Sequence, residues 1–179
     1  MTSMVLIGLG SNRGDSIAIV REAFVRLETF ACEPVRRSSL WRTSPVDCPP
    51  GSAEFINAAA AFVARPEVTP ESLLAGLKRL EGEFGRPRVR QRNAPRELDL
   101  DLLLFGDERR NAPDFVLPHP RAMNRRFVLA PAAEVLPEQV WPGTGRTIAE
   151  LLAALESDEQ VERLGGSASR PDSRDHAAP

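Results

Sequence analysis

Ten residues, Arg96-Glu97-Leu98-Asp99-Leu100-Asp101-Leu102-Leu103-Leu104-Phe105, constrain the fold more than any other stretch of this chain. Leucines at 98, 100 and 102 alternate with aspartates at 99 and 101, which is the period of a β-strand. The alternation sends Leu98, Leu100 and Leu102 into a core. It stands Asp99 and Asp101 side by side on the other face, about 6.5 Å apart. At an effective dielectric of about 20 that proximity costs roughly 3 kcal/mol, or about two pKa units of mutual perturbation. Open solvent relieves the repulsion, and so does a cation between the groups. The unbroken apolar run after Asp101 predicts a central strand rather than an edge. A central strand favours a divalent cation with oxygen ligands, Mg²⁺. From the pair alone, a solvated polar face on a half-buried strand stays open as well.

The residues before this strand bear on that choice. Arginines stand at 86, 88, 90, 92 and 96, with no acid among them until Glu97. Pro87 and Pro95 make a regular helix unfavourable there. The planar fork of arginine suits phosphate oxygens; a solvated loop or a nucleic-acid contact is the plainer reading. A second basic cluster follows the strand, with Pro118-His119-Pro120, Arg121, Asn124, Arg125 and Arg126 leading into apolar Phe127-Val128-Leu129. His119 is structural or a phosphate contact. His176, far out in the C-terminal residues, is read as inert.

Elsewhere the signals alternate between strand and helix. Val5 to Gly10 reads as a short buried strand ending at Ser11-Asn12-Arg13-Gly14. Its glycines do not complete a dinucleotide fingerprint, because Arg13 stands where the third glycine belongs. Asp15 or Ser16 can cap a helix over about 16–30, with Ile17, Val20, Phe24 and Leu27 on one face. Val35 to Trp41 is strand-like, and Thr43 to Gly51 is a turn-rich loop with three prolines. Phe55-Ile56-Asn57 leads into a buried strand over Ala58 to Ala64. Thr69-Pro70-Glu71 starts a helix that buries Leu73, Leu74, Leu77, Leu80 and Phe84, with Gly85 at its C-terminal cap. Gly106-Asp107 is a turn, and Phe115 to Leu117 a short strand. Thr147-Ile148-Ala149-Glu150 matches a capping box opening a helix to about 156. Residues 1–164 are expected to form one domain, with 165–179, rich in Gly, Ser, Ala and Pro, as a disordered tail.

This pattern predicts a sheet with helices packed on it, α/β or α+β. Net charge is −2, so no global basic field draws the chain to nucleic acid or an anionic membrane. The longest apolar run, Ala58 to Ala64, is far short of a membrane span, and Met1-Thr2-Ser3-Met4 carries no basic signal-peptide region. Cys32 and Cys48 form neither a metal motif nor a disulfide framework. A cytoplasmic protein is expected. Two carboxylates flanked by two arginine clusters suit a metal-assisted polyphosphate site without a Walker loop, fit for phosphoryl-type transfer. An RNA-gripping module is a second reading, disfavoured by the net charge and the lack of an aromatic RNA-binding motif. A metal-dependent nuclease or phosphatase is a third, and would call for more carboxylates.

Taken together, several segments resemble the 6-hydroxymethyl-7,8-dihydropterin pyrophosphokinase family of folate biosynthesis. Arg92-Asn93-Ala94-Pro95-Arg96-Glu97-Leu98-Asp99-Leu100-Asp101-Leu102-Leu103 carries the resemblance most strongly. It is joined, in order, by Gly10-Ser11-Asn12, Trp41-Arg42-Thr43-Ser44-Pro45, Phe55-Ile56-Asn57-Ala58, Gly85-Arg86-Pro87-Arg88 and Pro118-His119-Pro120 with Arg125 and Phe127. The resemblance implies an α+β, ferredoxin-like fold, with a mostly antiparallel central sheet and helices on both faces in three αβα layers. It implies pyrophosphate transfer from ATP to the pterin hydroxymethyl group, leaving AMP, by a monomer that takes small-molecule substrates.

It also implies residue roles. Asp99 and Asp101 would hold two Mg²⁺ ions on the ATP phosphates. Arg88 and Arg96 would contact ATP in the reaction, joined by Arg86, His119 and Arg125. Glu81 and Leu102 fall at adenosine-side positions. Phe55 and Phe127 would sandwich the pterin ring. Asn57, with backbone groups of Thr43, Ser44 and Val46, would read its edge. The family signature commonly has Trp-Gly where this chain has Asn93-Ala94, and the chain contains no tyrosine, so Phe55 stands where relatives often carry one. No side chain is singled out as a general base.

Overall fold

The computed structural model describes residues 3–44, 53–85 and 97–165. The arginine-rich stretch 86–96, most of the turn-rich loop and all but Gly165 of the tail lie outside the described residues.

The chain forms β1 (Met4–Ser11), α1 (Ser16–Leu27), β2 (Arg36–Arg37), β3 (Trp41–Thr43), β4 (Phe55–Val63), α2 (Pro70–Glu83), β5 (Asp99–Phe105), β6 (Arg110–Ala112), β7 (Phe115–Leu117), α3 (Arg126–Val135), α4 (Ile148–Ala154) and β8 (Val161–Arg163). Among the described residues, six strands make one antiparallel sheet in the order β5-β1-β4-β3-β8, with β2 also paired to β4. β6 and β7 form a separate hairpin.

Alternation along β1 divides the core in two. Val5, Ile7 and Leu9 pack with Phe24 and Leu27 of α1 and Leu73, Leu77 and Leu80 of α2. Leu6 packs with Leu129 and Ala132 of α3, Ile148 of α4 and the fully buried Trp141.

β5 departs from its expected place. Among the described residues it is an edge strand, paired to β1 alone. Its long apolar run is accommodated by a bulge: Leu6 pairs with Leu104 and Ile7 with Leu102, which leaves Leu103 as the extra residue. The bulge breaks the alternation, so Leu103 and Leu104 both enter the α3 cluster, while Leu102 and Phe105 enter the α1–α2 cluster. Both faces of its second half, Leu102 to Phe105, are thereby buried, whereas Asp99 and Asp101 stay partly exposed. Two of its outward backbone groups are satisfied from elsewhere. The Leu100 N–H donates to the Glu81 carboxylate of α2 at 2.9 Å, and the Leu103 carbonyl accepts from the His119 N–H at 3.0 Å.

Helix ends follow their sequence signals. The Asp15 carboxylate accepts from the Ala18 N–H, while Thr69 and Thr147 each close a capping box. Gly85 ends α2 with φ +86°, a conformation glycine adopts without steric penalty. α1 stops at Leu27 and continues as one 3₁₀ turn over Glu28–Phe30. Ile17, expected on the inward face, is instead exposed, and Ala23 is buried beside Val20, Phe24 and Leu27. The strand expected over Val35 to Trp41 is split into β2 and β3, because the Ser38 hydroxyl takes the Ala59 N–H at 2.8 Å between them. α3 and β8 were not expected from the sequence. α3 contains Pro131, which supplies no N–H and normally disfavours a helix interior.

Leu103 tests the bulge. Replacing this 1%-exposed leucine by alanine should lower stability by about 2–5 kcal/mol in urea denaturation. A loss below about 1 kcal/mol would show that the bulge does not seat it in the α3 cluster.

Candidate active site

The candidate site is a row of residues across the sheet. Asp99 of β5 pairs with Gly10 of β1, Gly10 with Asn57 of β4, and Asn57 with Trp41 of β3. In the next row, Asp101 pairs with Gly8 and Gly8 with Ala59. Directly opposed residues in antiparallel strands share a face. Asp99, Asp101 and Asn57 therefore stand on the α3 side of the sheet, and Phe55 and Thr43, which pair with one another, stand there too.

Between carboxylates and amide, β1 contributes no side chain, and the Leu103 side chain lies beside Gly8. Gly8 and Gly10 are partly exposed although β1 has a strand on either side. They form a floor open to solvent. A Cβ placed on Gly10 would come within 3.1 Å of Asn57 Oδ1, so a side chain here would crowd the amide. Asn57 is buried, and its Nδ2 donates to Thr43 Oγ1 at 2.7 Å. That bond directs the amide oxygen over the glycine floor.

His119 is brought to the carboxylates by its backbone bond to Leu103. Its Nε2 lies 3.9 Å from Asp101 Oδ1, too far for a hydrogen bond. Burial pushes the imidazole pKa below the usual histidine value, and the Arg121 and Arg125 charges act in the same direction, against a smaller opposing pull from Asp99. The neutral ring is thus favoured near pH 7, and the Asp101 contact is not an ion pair there. The Arg121 N–H points at Nδ1 at 3.4 Å, which makes Nδ1 the acceptor and leaves the proton on Nε2, the nitrogen facing Asp101. The Arg125 guanidinium lies 5.4 Å from the centroid of the Phe127 ring, within cation–π range. Phe55 and Phe127 are both half-buried.

Glu81 and Leu102 lie apart from this row. Leu102 points into the α1–α2 cluster, and Glu81 is 3% exposed with its carboxylate on the Leu100 N–H. They form the outer edge and far side of β5. Arg86, Arg88, Arg96 and Val46 lie outside the described residues. Ser44 is exposed, and its N–H donates to the Gln160 carbonyl at 3.4 Å. Sequence reading missed the glycine floor. The period-two spacing of Gly8 and Gly10 was visible, but its meaning depends on which residues stand opposite.

The donor set fits a substrate-bound magnesium. Among the described residues no group of three or more His, Cys, Asp or Glu is assembled to hold a metal. Mg²⁺ is commonly held by one or two carboxylates together with substrate phosphates and water. Asp99 and Asp101 provide two carboxylates on one face, and the Asp101 side chain is 47% exposed, so such an ion can reach it.

Comparisons with known proteins agree with this geometry. A family model described as 7,8-dihydro-6-hydroxymethylpterin-pyrophosphokinase matches residues 6–137. A Pseudomonas aeruginosa 2-amino-4-hydroxy-6-hydroxymethyldihydropteridine pyrophosphokinase is 37% identical over 170 residues, covering 93% of this chain and 100% of that protein. The Bacillus subtilis protein of the same name is 38% identical over 136 residues, covering 75% of this chain and 79% of that one. A solved Plasmodium falciparum HPPK-DHPS structure with pteroate superposes with a TM-score of 0.65 at 14% identity, which speaks for the fold alone. The match covers 86% of this chain but only 43% of that longer one. No helix among the described residues is long and apolar enough to cross a membrane. With its signature strand, its glycine floor and these relatives, the chain belongs to the 7,8-dihydro-6-hydroxymethylpterin-pyrophosphokinase family.

Proposed function

We infer that this chain transfers pyrophosphate from ATP to the hydroxymethyl group of 6-hydroxymethyl-7,8-dihydropterin, giving the pterin pyrophosphate and AMP, a step of tetrahydrofolate biosynthesis. One observation carries this reading. In a member of this family, the open floor of Gly8 and Gly10 separates a carboxylate pair on one side from a buried amide on the other. Phosphates and a flat heterocycle can therefore lie side by side on one face of the sheet.

On the heterocycle side, the Asn57 oxygen accepts from the pterin edge while Thr43 holds the amide in place. A buried amide that accepts and donates at once suits such an edge. Phe55 and Phe127 stack on the ring, and the backbone groups of Thr43, Ser44 and Val46 complete its rim. On the phosphate side, Asp99 and Asp101 would hold Mg²⁺, two ions on this reading, and the metal would supply neutralisation of phosphate charge as AMP departs. His119 donates its Nε2–H to a phosphate oxygen, and Arg125 adds positive charge beside it. Arg86, Arg88 and Arg96 contact ATP and its phosphates. The described residues on either side of this stretch support the reading, because Gly85 and Glu97 lie together beside the start of β5: a Cβ on Gly85 would be 2.8 Å from Glu97 Oε2. Glu81 and Leu102 build the β5 edge across which the adenosine lies.

Positioning dominates this chemistry. The hydroxymethyl oxygen attacks the β-phosphorus in line, its proton passes to solvent, and the bond from that phosphorus to the α,β-bridging oxygen breaks to release AMP. The sheet order and the two-sided core support a ferredoxin-like, three-layer αβα arrangement. We further propose that residues 1–164 act as one domain, as a cytoplasmic monomer.

Incubation with ATP, Mg²⁺ and the hydroxymethyl dihydropterin should yield AMP and pterin pyrophosphate one for one; ADP or free phosphate in their place refutes the reading. Asp99→Asn and Asp101→Asn should each lower kcat by about 100-fold or more with an unchanged circular dichroism spectrum. Near-normal turnover in either variant would remove the paired-metal role.

A further inference from the structure

The chain after α4 passes from the α3 side of the sheet to its rim beside β3, where it forms β8. Leu155 packs on the α3 cluster and Leu164 on the α1–α2 cluster, so residues 155–164 wrap around the sheet from face to face. At the near end the Arg126 guanidinium donates to the Leu155 carbonyl at 3.2 Å. At the far end the Leu164 N–H donates to the Leu40 carbonyl at 2.8 Å, and Val161 pairs with Thr43. Between these anchors, Glu159 Oε2 accepts from the backbone N–H of Phe127 at 3.2 Å.

That bond falls where α3 needs one. The helix begins at Arg126, and its cap residue Arg125 makes no side-chain capping bond. The first N–H groups of a helix have no partner within it, and a carboxylate there also complements the helix dipole. Glu159 supplies the acceptor from a different part of the chain. The Phe127 N–H and the ring share one α-carbon, so fixing the first constrains the second. Two residues further on, the same strap pairs with Thr43, whose hydroxyl holds the Asn57 amide.

We propose that Glu159 is a positioning residue for the pterin: its carboxylate holds the start of α3 so that the Phe127 ring keeps the orientation needed to stack on the substrate, while the strap ties that ring to the Thr43–Asn57 side of the cleft. The inference rests on the reading of Phe127 as one face of the pterin site. It assigns the post-α4 segment a part in recognising the heterocycle and none in binding ATP.

Steady-state kinetics on the full chain test it. Glu159→Ala should raise the KM for the hydroxymethyl dihydropterin about tenfold, with the KM for ATP and kcat within about twofold of the parent. Glu159→Gln keeps an acceptor oxygen at the same reach and should restore the pterin KM to within about threefold. Glu159→Asp withdraws the carboxylate by one methylene and should raise the pterin KM about threefold; it carries the test if the alanine variant does not fold. An unchanged pterin KM in the Ala and Asp variants, equal changes in both KM values, or a Gln variant as impaired as Ala overturns the proposal. Phe127→Ala separates the two levels of the argument. If it leaves the pterin KM unchanged, the stacking reading fails. If it raises that KM while Glu159→Ala does not, only the role of Glu159 falls.

Discussion

Everything in this molecule hangs from the backbone ladder along β1. That strand pairs with β4 over its whole length and with β5 over most of it. Its odd-numbered apolar residues fill one core and Leu6 helps fill the other. The two even-numbered positions left without side chains, Gly8 and Gly10, become the floor on which substrates are proposed to lie. A one-residue slip of β5 against β1 would turn the carboxylates into a core and leucines into the cleft, and a slip of β4 against β1 would take the Asn57 amide away from it. Register here is thus a condition of chemistry as much as of packing, and the apolar residues that surround Gly8 and Gly10 on β1 hold it.

Much of this could be read from sequence where the signal was local. The capping boxes at Thr69 and Thr147, the left-handed Gly85 and the alternation of Leu98 to Leu102 each state their structure within a few residues. What could not be read was relational. The apolar run after Asp101 suggested a central strand, whereas β5 lies at an edge; the difference comes from a bulge and from acceptor and donor groups that α2 and the His119 segment bring from elsewhere. α3 was obscured by Pro131. β8, Val161-Glu162-Arg163, has no strand-like alternation and exists because β3 offers it an edge.

The site divides along the same line. The carboxylate pair was visible as chemistry, and its family signature named the reaction. Asn57 and Phe127 drew attention only through the resemblance, since an isolated amide or phenyl ring in a sequence is more often packing. The glycine floor needed the cross-strand register. Glu159 gave no signal at all, being one acid among Glu156, Asp158 and Glu162, and only the start of α3 distinguishes it.

The sealing of β5 has a consequence beyond this chain's own fold. A sheet edge that offers free amides and carbonyls is a template for another chain. Here Glu81 and the His119 N–H occupy places on one rim that an incoming strand would use. The opposite rim is β8, three residues long, with exposed Glu162 and Arg163, and short charged strands discourage such docking. Intermolecular sheet growth is therefore resisted at both rims. On the β5 side, the groups that resist it adjoin the residues proposed to bind nucleotide, so protection from aggregation and the architecture of the catalytic edge are maintained by the same contacts.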